Sequence, residues 1–421
     1  MVCEVAGQRR FQLLEVNGTG MAGITNVPLF ILDMVMMSLS EAASVITDPL
    51  PLMLVPYSGT VKLADSGTSQ LIHERILYAQ AIKQTFQKKF GQGQILALSH
   101  LQPDQSLLLT RPTVVMGFLK DFLPYLSVVE GRLCFLGNPV SAALHDQFCE
   151  YVLTQFGESL GPAPFRAVNH IFPVASDKGG AYSIYNAYLS GQNYRWLKDP
   201  AEYTLCADRQ ALIETVLAKR ADGVPLVIKP HAGGLGRGIE FFIDDETEAA
   251  MVAKIEASIQ SIEQYYGLEG GVFPYTVCRF IDSCPVNDPQ GPWHGHKFEL
   301  RLFVFKEGRR LMAVPAIAKM ASQAFDAEAP SRAMLMNNIA FSKNSQALSS
   351  GADFMLPLTN EDTLALLEVS TDQIKELCAF STGFVEHVLT TVPMHALWQS
   401  SQSSRGLTAE AAAVVCPDPI F

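Results

Sequence analysis

Lys229 heads the stretch of the chain best equipped for chemistry. In PLVIKPHAGGLGRGIEFF (residues 225–242) it is followed by Pro230 and then by Gly233, Gly234, Gly236 and Gly238, four glycines within six residues. Glycine backbone can bring successive N–H groups close over an anion because no Cβ stands in the way. An ammonium placed just before the loop adds a point charge. The chemistry this suits is the holding of phosphate groups. The lysine precedes the glycines and the strand-like GIEFF follows them, so this is not the P-loop in which glycines lead into a lysine and a helix. A tight glycine hairpin with no ligand is the plainer alternative, but a turn alone does not require a lysine leading into it.

Such residues need elements to position them. Leu226-Val227-Ile228 form a strand that delivers Lys229, and GIEFF resumes a strand. Upstream, LMLVP (52–56) reads as a short buried strand ending in the turn-forming Tyr57-Ser58-Gly59. Residues 71–89 have helical spacing, and GQILALSHL (93–101) is again strand-like. A helix around 114–127, a strand at GRLCFLG (131–137) and a helix at 140–155 follow. This alternation predicts an α/β chain with a parallel sheet covered on both faces. VPLFILDMVMMSL (27–39) is apolar but short and carries Asp33, which predicts a buried helix rather than a membrane span. After residue 160 the chain is richer in aromatic and polar groups.

Composition narrows the field further. The 421 residues are 48% hydrophobic, enough for two to three domains of about 100–200 residues each. Thirty-one basic against 42 acidic side chains leave a net charge of −11, which argues against nucleic acid or a membrane surface as the main partner. A local basic pocket remains compatible with that balance. Eight scattered cysteines form no CxxC pair and no zinc-ligand spacing, as expected for core thiols in a reducing compartment. The opening MVCEVAGQRRF is too polar for a signal peptide, so the chain reads as soluble and cytoplasmic.

The strand, Lys-Pro, glycine loop and strand at 225–242 resemble the nucleotide lid of the ATP-grasp superfamily, whose members join a carboxylate to an amine or thiol using ATP. Further stretches fit that likeness. SDKGGAY (176–182) resembles the step that opens the lid and implies a second phosphate-contacting lysine, Lys178. YTVCRFIDS (275–283) resembles the hinge whose backbone reads adenine, implicating Arg279, Phe280 and Ile281. HKFELRLFVF (296–305) resembles a Lys-x-acid-x-Arg strand of the tubulin tyrosine ligase branch. Period-2 alternation puts Lys297, Glu299 and Arg301 on one face of that strand and Phe298, Leu300 and Leu302 on the other. The likeness implies that Lys297 and Glu299 face the ribose and Arg301 the phosphates or acyl phosphate. Lys319 in VPAIAKMAS (314–322) stands where the family often has an arginine, and Asn338 in MLMNNIAFSKN (334–344) aligns with the family's Asn-containing strand.

The family also implies Mg²⁺ on a Glu-x-Asn strand, since that ion prefers hard oxygen ligands. At the C-terminal end LLEVS (366–370) offers Glu368, with Asp353 before it, but Ser370 replaces the Asn and the surroundings read as capped helices. The match lies instead in RFQLLEVNGTGMAGITN (10–26), with Glu15 and Asn17 on an apolar strand and Glu4 on a preceding strand across a Gly7-Gln8 turn. A metal strand ahead of the lid resembles the circularly permuted ATP-grasp enzymes, eukaryotic glutathione synthetase and glutathionylspermidine synthetase among them.

These likenesses imply four segments: 1–48 completing the ATP-grasp core, 49–162 as a pre-ATP-grasp α/β domain, 163–283 as lid and hinge, and 284–421 as core and C-terminal helices. The expected activity is an ATP- and Mg²⁺-dependent ligation of a small carboxylate to an amine, with a homodimer left open. The alternatives are a ligase that adds amino acids to a protein and a non-catalytic nucleotide-binding protein. Among the histidines, His231 beside the glycines has two readings, phosphate contact or a role-free loop position. His294 and His296 read as a solvated loop, and His170 as a packed residue. No GxSxG elbow is present.

Overall fold

The protein is described from a computed structural model covering residues 2–391, apart from 6–7, 19–22, 45, 47–51, 57–65, 92, 99–112, 117–119, 145, 157–158, 162–164, 168–170, 172–173, 176, 232–235, 267–272, 329 and 336–353. The architecture is mixed α/β, as the alternation of elements predicts. Among the described residues no helix is long and apolar enough to cross a membrane.

The first unit is a sheet in the order Gln94–Leu98, Leu52–Pro56, Thr113–Val115, Asn138–Ala143, Arg132–Phe135, Leu126–Val129, with Arg166–Ala167 added beside Asn138–Ala143. The first four of these strands run parallel, and the last two turn back antiparallel. This corrects three expectations: an all-parallel sheet, a helix around 114–127 and a helix starting at 140. Glu130-Gly131 and Leu136-Gly137 both take positive φ at both residues, the geometry of two-residue turns that match strand twist. They fold 126–143 into an antiparallel meander, and the helix begins only at Asp146 (Asp146–Phe156). The helix Leu29–Ala43 buries Ile31, Val35 and Ala43, but Leu29, Phe30 and Met37 are exposed. It is therefore buried on one face rather than all round.

The second unit is a four-stranded antiparallel sheet in the order Tyr203–Cys206, Tyr275–Arg279, Leu226–Lys229, Glu240–Phe242. Helices Arg209–Ala221 and Glu248–Tyr266 cover it, burying Leu212, Val216, Ile255 and Ile262 against Leu226, Ile228, Tyr275 and Val277. Asp208 caps the first of these helices by accepting from the Ala211 N–H.

The third unit is a long hairpin, His296–Glu307 with Arg310–Ala324, extended by Met355–Pro357. Phe298 and Met320 pack with Tyr185 of helix Lys178–Ser190 and with Phe380, Phe384 and Val388 of helix Thr371–Thr391. Pairing slips between Arg301 and Leu302, an extra residue of the kind that makes a bulge. Phe303 and Phe305 beyond that slip, and Ile317 at it, pack with Ile31 and Val35 of helix Leu29–Ala43 and with Tyr78 and Phe86 of helix Ser66–Phe90 in the first unit. One hairpin thus serves two cores, with a polar stretch between them.

The chain begins with strand Val2–Val5 paired to Gln8–Phe11, Glu4 opposite Arg9. Strand structure ends at Phe11, and residues 12–18 have no regular secondary structure. Glu15 and Asn17 are therefore not on a strand, contrary to expectation. Among the described residues no strand pairs with this segment; side chains from elsewhere hold its backbone.

Candidate functional site

Lys229 ends a strand whose four residues are all buried, and its ammonium donates to the Leu14 carbonyl at 3.1 Å and the Tyr182 hydroxyl at 2.7 Å. Tyr182 in turn donates to the same Leu14 carbonyl. Lys178 and Tyr182 are four apart on helix Lys178–Ser190, hence on one face. Asp177 caps that helix by accepting from the Gly180 N–H at 2.9 Å. Burial holds the Tyr182 phenol protonated. Burial pulls the Lys229 ammonium down, but the hydrogen bond it donates to the Tyr182 hydroxyl and the Glu15 carboxylate act against this and leave the pKa raised.

Glu15 is the electrostatic focus. Burial alone would raise its carboxyl, yet Lys178, Arg301, Lys319 and Lys229 together hold it below the ordinary carboxylate range. These four cations come from a helix and three different strands. Asn17, which is exposed, donates its side-chain amide to Glu15 Oε1 at 3.1 Å.

On the hairpin, Glu299 lies directly opposite Lys319 and is ion-paired to it, with Arg301 at 3.8 Å from the same oxygen. Lys319 is buried, and that burial together with Arg301 lowers its pKa, while Glu299 acts in the opposite sense. Lys297 is buried, pairs with Asp282, and lies 5.5 Å from the Phe280 ring and 3.8 Å from the Phe325 ring. The polar face read from period-2 spacing is thus present, between the two apolar clusters.

The glycine loop is seen from Gly236 onward, with Gly236 at φ 71° and Gly238 at φ 65°. Both values belong to a region that glycine enters without a steric cost. Ser258 donates to the Gly238 carbonyl and is hydrogen-bonded to Tyr275, tying the loop's end to the covering helix. Gly233, Gly234 and Asn338 lie outside the described residues, as do His170, Asp353 and the Tyr57-Ser58-Gly59 turn, and so does the Glu4 side chain.

Of the hinge residues, the Arg279 N–H donates to the Glu202 carbonyl at 3.1 Å and the Phe280 N–H to the Pro225 carbonyl at 2.8 Å. Both amides are engaged by the protein itself. Arg279's side chain pairs with exposed Glu202 at 3.1 Å. Glu368 sits in a turn at φ 50° between helices Glu361–Leu366 and Thr371–Thr391, ion-paired to Arg9. His231 is buried, 3.9 Å from Asp177. His294 is exposed, whereas His296 contacts the Ala321 carbonyl at 2.8 Å.

Three residues at the site were not singled out in the sequence. Tyr182 ends the SDKGGAY stretch and could have been found by its i, i+4 spacing from Lys178. Asp282, in the hinge, carried no signal. Arg332 donates to the Gly236 carbonyl and lies 3.7 Å from Glu240; nothing local in the sequence announces it.

The donors suit Mg²⁺. Glu15 offers an ionised carboxylate, and Asn17, donating through its nitrogen, keeps its amide oxygen for another partner; both are hard oxygens. Among the described residues no group of three or more His, Cys, Asp or Glu could hold a metal.

No family model matches the chain, and no curated protein does. Among solved structures, the chain is similar to a protein from Methylobacillus flagellatus KT described provisionally as a γ-glutamylcysteine synthetase, at 12% identity and a TM-score of 0.40, covering 91% of this chain and 84% of that one. It is also similar to D-alanyl-alanine synthetase A from Vibrio cholerae O1 biovar eltor, at 10% identity and a TM-score of 0.38, covering 81% and 80%. At that level of likeness, what the site can do is read from its own side chains.

Proposed function

We propose that the chain is an ATP-dependent carboxylate–amine ligase of the ATP-grasp kind. The observation that carries this reading is the gathering of Lys178, Lys229, Arg301 and Lys319 about Glu15, with the glycine loop continuing from Lys229. Four cations against Glu15 and Glu299 leave a positive surplus suited to a triphosphate. Lys178, Lys229 and the loop's backbone hold the phosphates, while Lys297 and the hinge around Ile281 take the nucleoside end. A carboxylate oxygen of the acid substrate bonds to the γ-phosphorus as the bridge to the β-phosphate breaks, giving an acyl phosphate and ADP. The amine nitrogen then bonds to the acyl carbon, phosphate leaves, and the nitrogen loses a proton.

Arg301 and Lys319 neutralise charge developing on the transferred group. Closure of the glycine loop excludes the water that would hydrolyse the acyl phosphate. Glu15 and Asn17, with Glu4, would hold Mg²⁺, which supplies charge neutralisation on the phosphates. In this reading the segments are 1–48 and 284–421 for the core, 163–283 for the lid and 49–162 for the domain that helps bind small-molecule acid and amine.

Calorimetric titration with MgATP tests the proposal. Wild type and Glu368→Ala bind, and Glu15→Ala loses the metal-dependent part. A wild type that binds no MgATP overturns the proposal. Loss in Glu368→Ala alone moves the metal site to the C-terminal turn. Binding without ADP release across acid and amine pools favours the non-catalytic nucleotide-binding alternative.

A further inference from the structure

The segment that carries Glu15 has no ladder of its own, yet one carbonyl in it receives two buried donors. Lys229 Nζ donates to the Tyr182 hydroxyl, Tyr182 donates to the Leu14 carbonyl, and Lys229 donates to that same carbonyl. The three groups close a triangle. Tyr182 is 4% exposed and Lys229 5%, so water does not compete for either donor. An ammonium has three hydrogens; two are engaged in the triangle, and among the described residues no other acceptor takes the third. Burial keeps the Tyr182 phenol protonated, so it remains a donor across the pH range in which the protein is handled.

We propose that Tyr182 is a positioning residue: it fixes the Leu14 carbonyl on Lys229 and so sets the spacing between that ammonium and the carboxylate of the next residue, Glu15. The inference rests on the ligase reading for what the two groups hold, namely a phosphate on Lys229 and Mg²⁺ on Glu15. Tyr182 touches neither ligand. Its effect passes through the backbone of residue 14, and its ring also packs 5.7 Å from that of Tyr203, which anchors it to the lid sheet. Two ligand sites on different parts of the chain are thereby locked to a common frame. Groups that orient a metal ligand from behind change metal affinity or activity by about 10–100-fold when removed.

The test is Tyr182→Phe, which keeps the ring and removes only the hydroxyl, two sides of the triangle at once. ATP affinity is measured by calorimetry without Mg²⁺ and again across a Mg²⁺ titration, and amide exchange is followed over residues 12–18. The expected result is metal-free ATP affinity within about 2-fold of wild type, a Mg²⁺ half-saturation raised about 10-fold or more, and faster exchange in 12–18 with strand Leu226–Lys229 still protected. Equal losses with and without Mg²⁺ would mark Tyr182 as merely structural and overturn the inference. So would a Mg²⁺ dependence unchanged from wild type. A wild type that binds no MgATP overturns the ligase reading instead, and exchange over 12–18 then decides the positioning alone: unchanged rates in Tyr182→Phe overturn it.

Discussion

Arg332 reaches from the segment after the long hairpin to the Gly236 carbonyl of the glycine loop, and the same guanidinium lies 3.7 Å from Glu240 on the four-stranded sheet. It is a clasp between two units. Half-exposed ion pairs contribute about 1 kcal/mol or less, so Arg332→Ala should barely move global stability. It should instead loosen the loop. Limited trypsin digestion is expected to cut after Arg237 several-fold faster in Arg332→Ala than in wild type; equal rates would show that the clasp does not hold the loop.

Gly238 takes φ 65°, and a Cβ there would stand 2.6 Å from Ile262 and 3.0 Å from Pro230. Both the backbone conformation and the space require glycine. Gly238→Ala should cost about 1–3 kcal/mol, read by urea denaturation with a probe on the four-stranded sheet, and under the proposed function should weaken ATP binding in parallel.

The Lys319–Glu299 pair crosses the hairpin at directly opposed positions, with Lys319 buried. Removing Lys319 leaves Glu299 with the more distant Arg301, at 3.8 Å, as its counter-charge. Lys319→Met should therefore destabilise by about 1–3 kcal/mol, and Lys319→Met with Glu299→Gln by less. A double-mutant cycle measures the coupling; additive losses would mean the two side chains act independently.

Glu15 titrates below the ordinary carboxylate range because the four cations outweigh its burial. A depressed folded-state pKa stabilises the fold above the unfolded value of about 4.3, and that stability is lost as pH falls through the lower folded value. Glu15→Gln should thus lower Tm at pH 7, with the gap to wild type closing as the pH is taken below about 4. A gap that stays constant with pH would show that the cations do not act on this carboxylate.

Much of the scaffold was legible because its signals are local. The buried strand ending in Lys229, the glycines beside it and the alternation of Lys297, Glu299 and Arg301 each need only a few consecutive residues. The meander at 126–143 was not, because its turns are Glu-Gly and Leu-Gly, where an apolar or acidic residue takes positive φ beside glycine and nothing in the residue type announces it. The Glu15 segment was misread as a strand for a different reason. Its apolar residues, Leu13 and Val16, pack against the core around Phe298 and Phe380 without a neighbouring strand to pair with. Tyr182 and Arg332 act over 168 and 96 positions of sequence, a separation no short pattern encodes.

Arg9 donates to the Leu367 carbonyl and pairs with Glu368, contacts spanning more than 350 residues of chain. The hairpin that leads into Glu15 is therefore made more than 350 residues before the turn it pairs with. At ribosomal rates of about 5–20 residues per second, the Arg9 contacts form tens of seconds after that hairpin is made, later than Tyr182 and Lys229 can reach the Leu14 carbonyl. A nascent chain carries the glycine loop before it carries Arg301 and Lys319, so the charged centre is complete only once the long hairpin has been made.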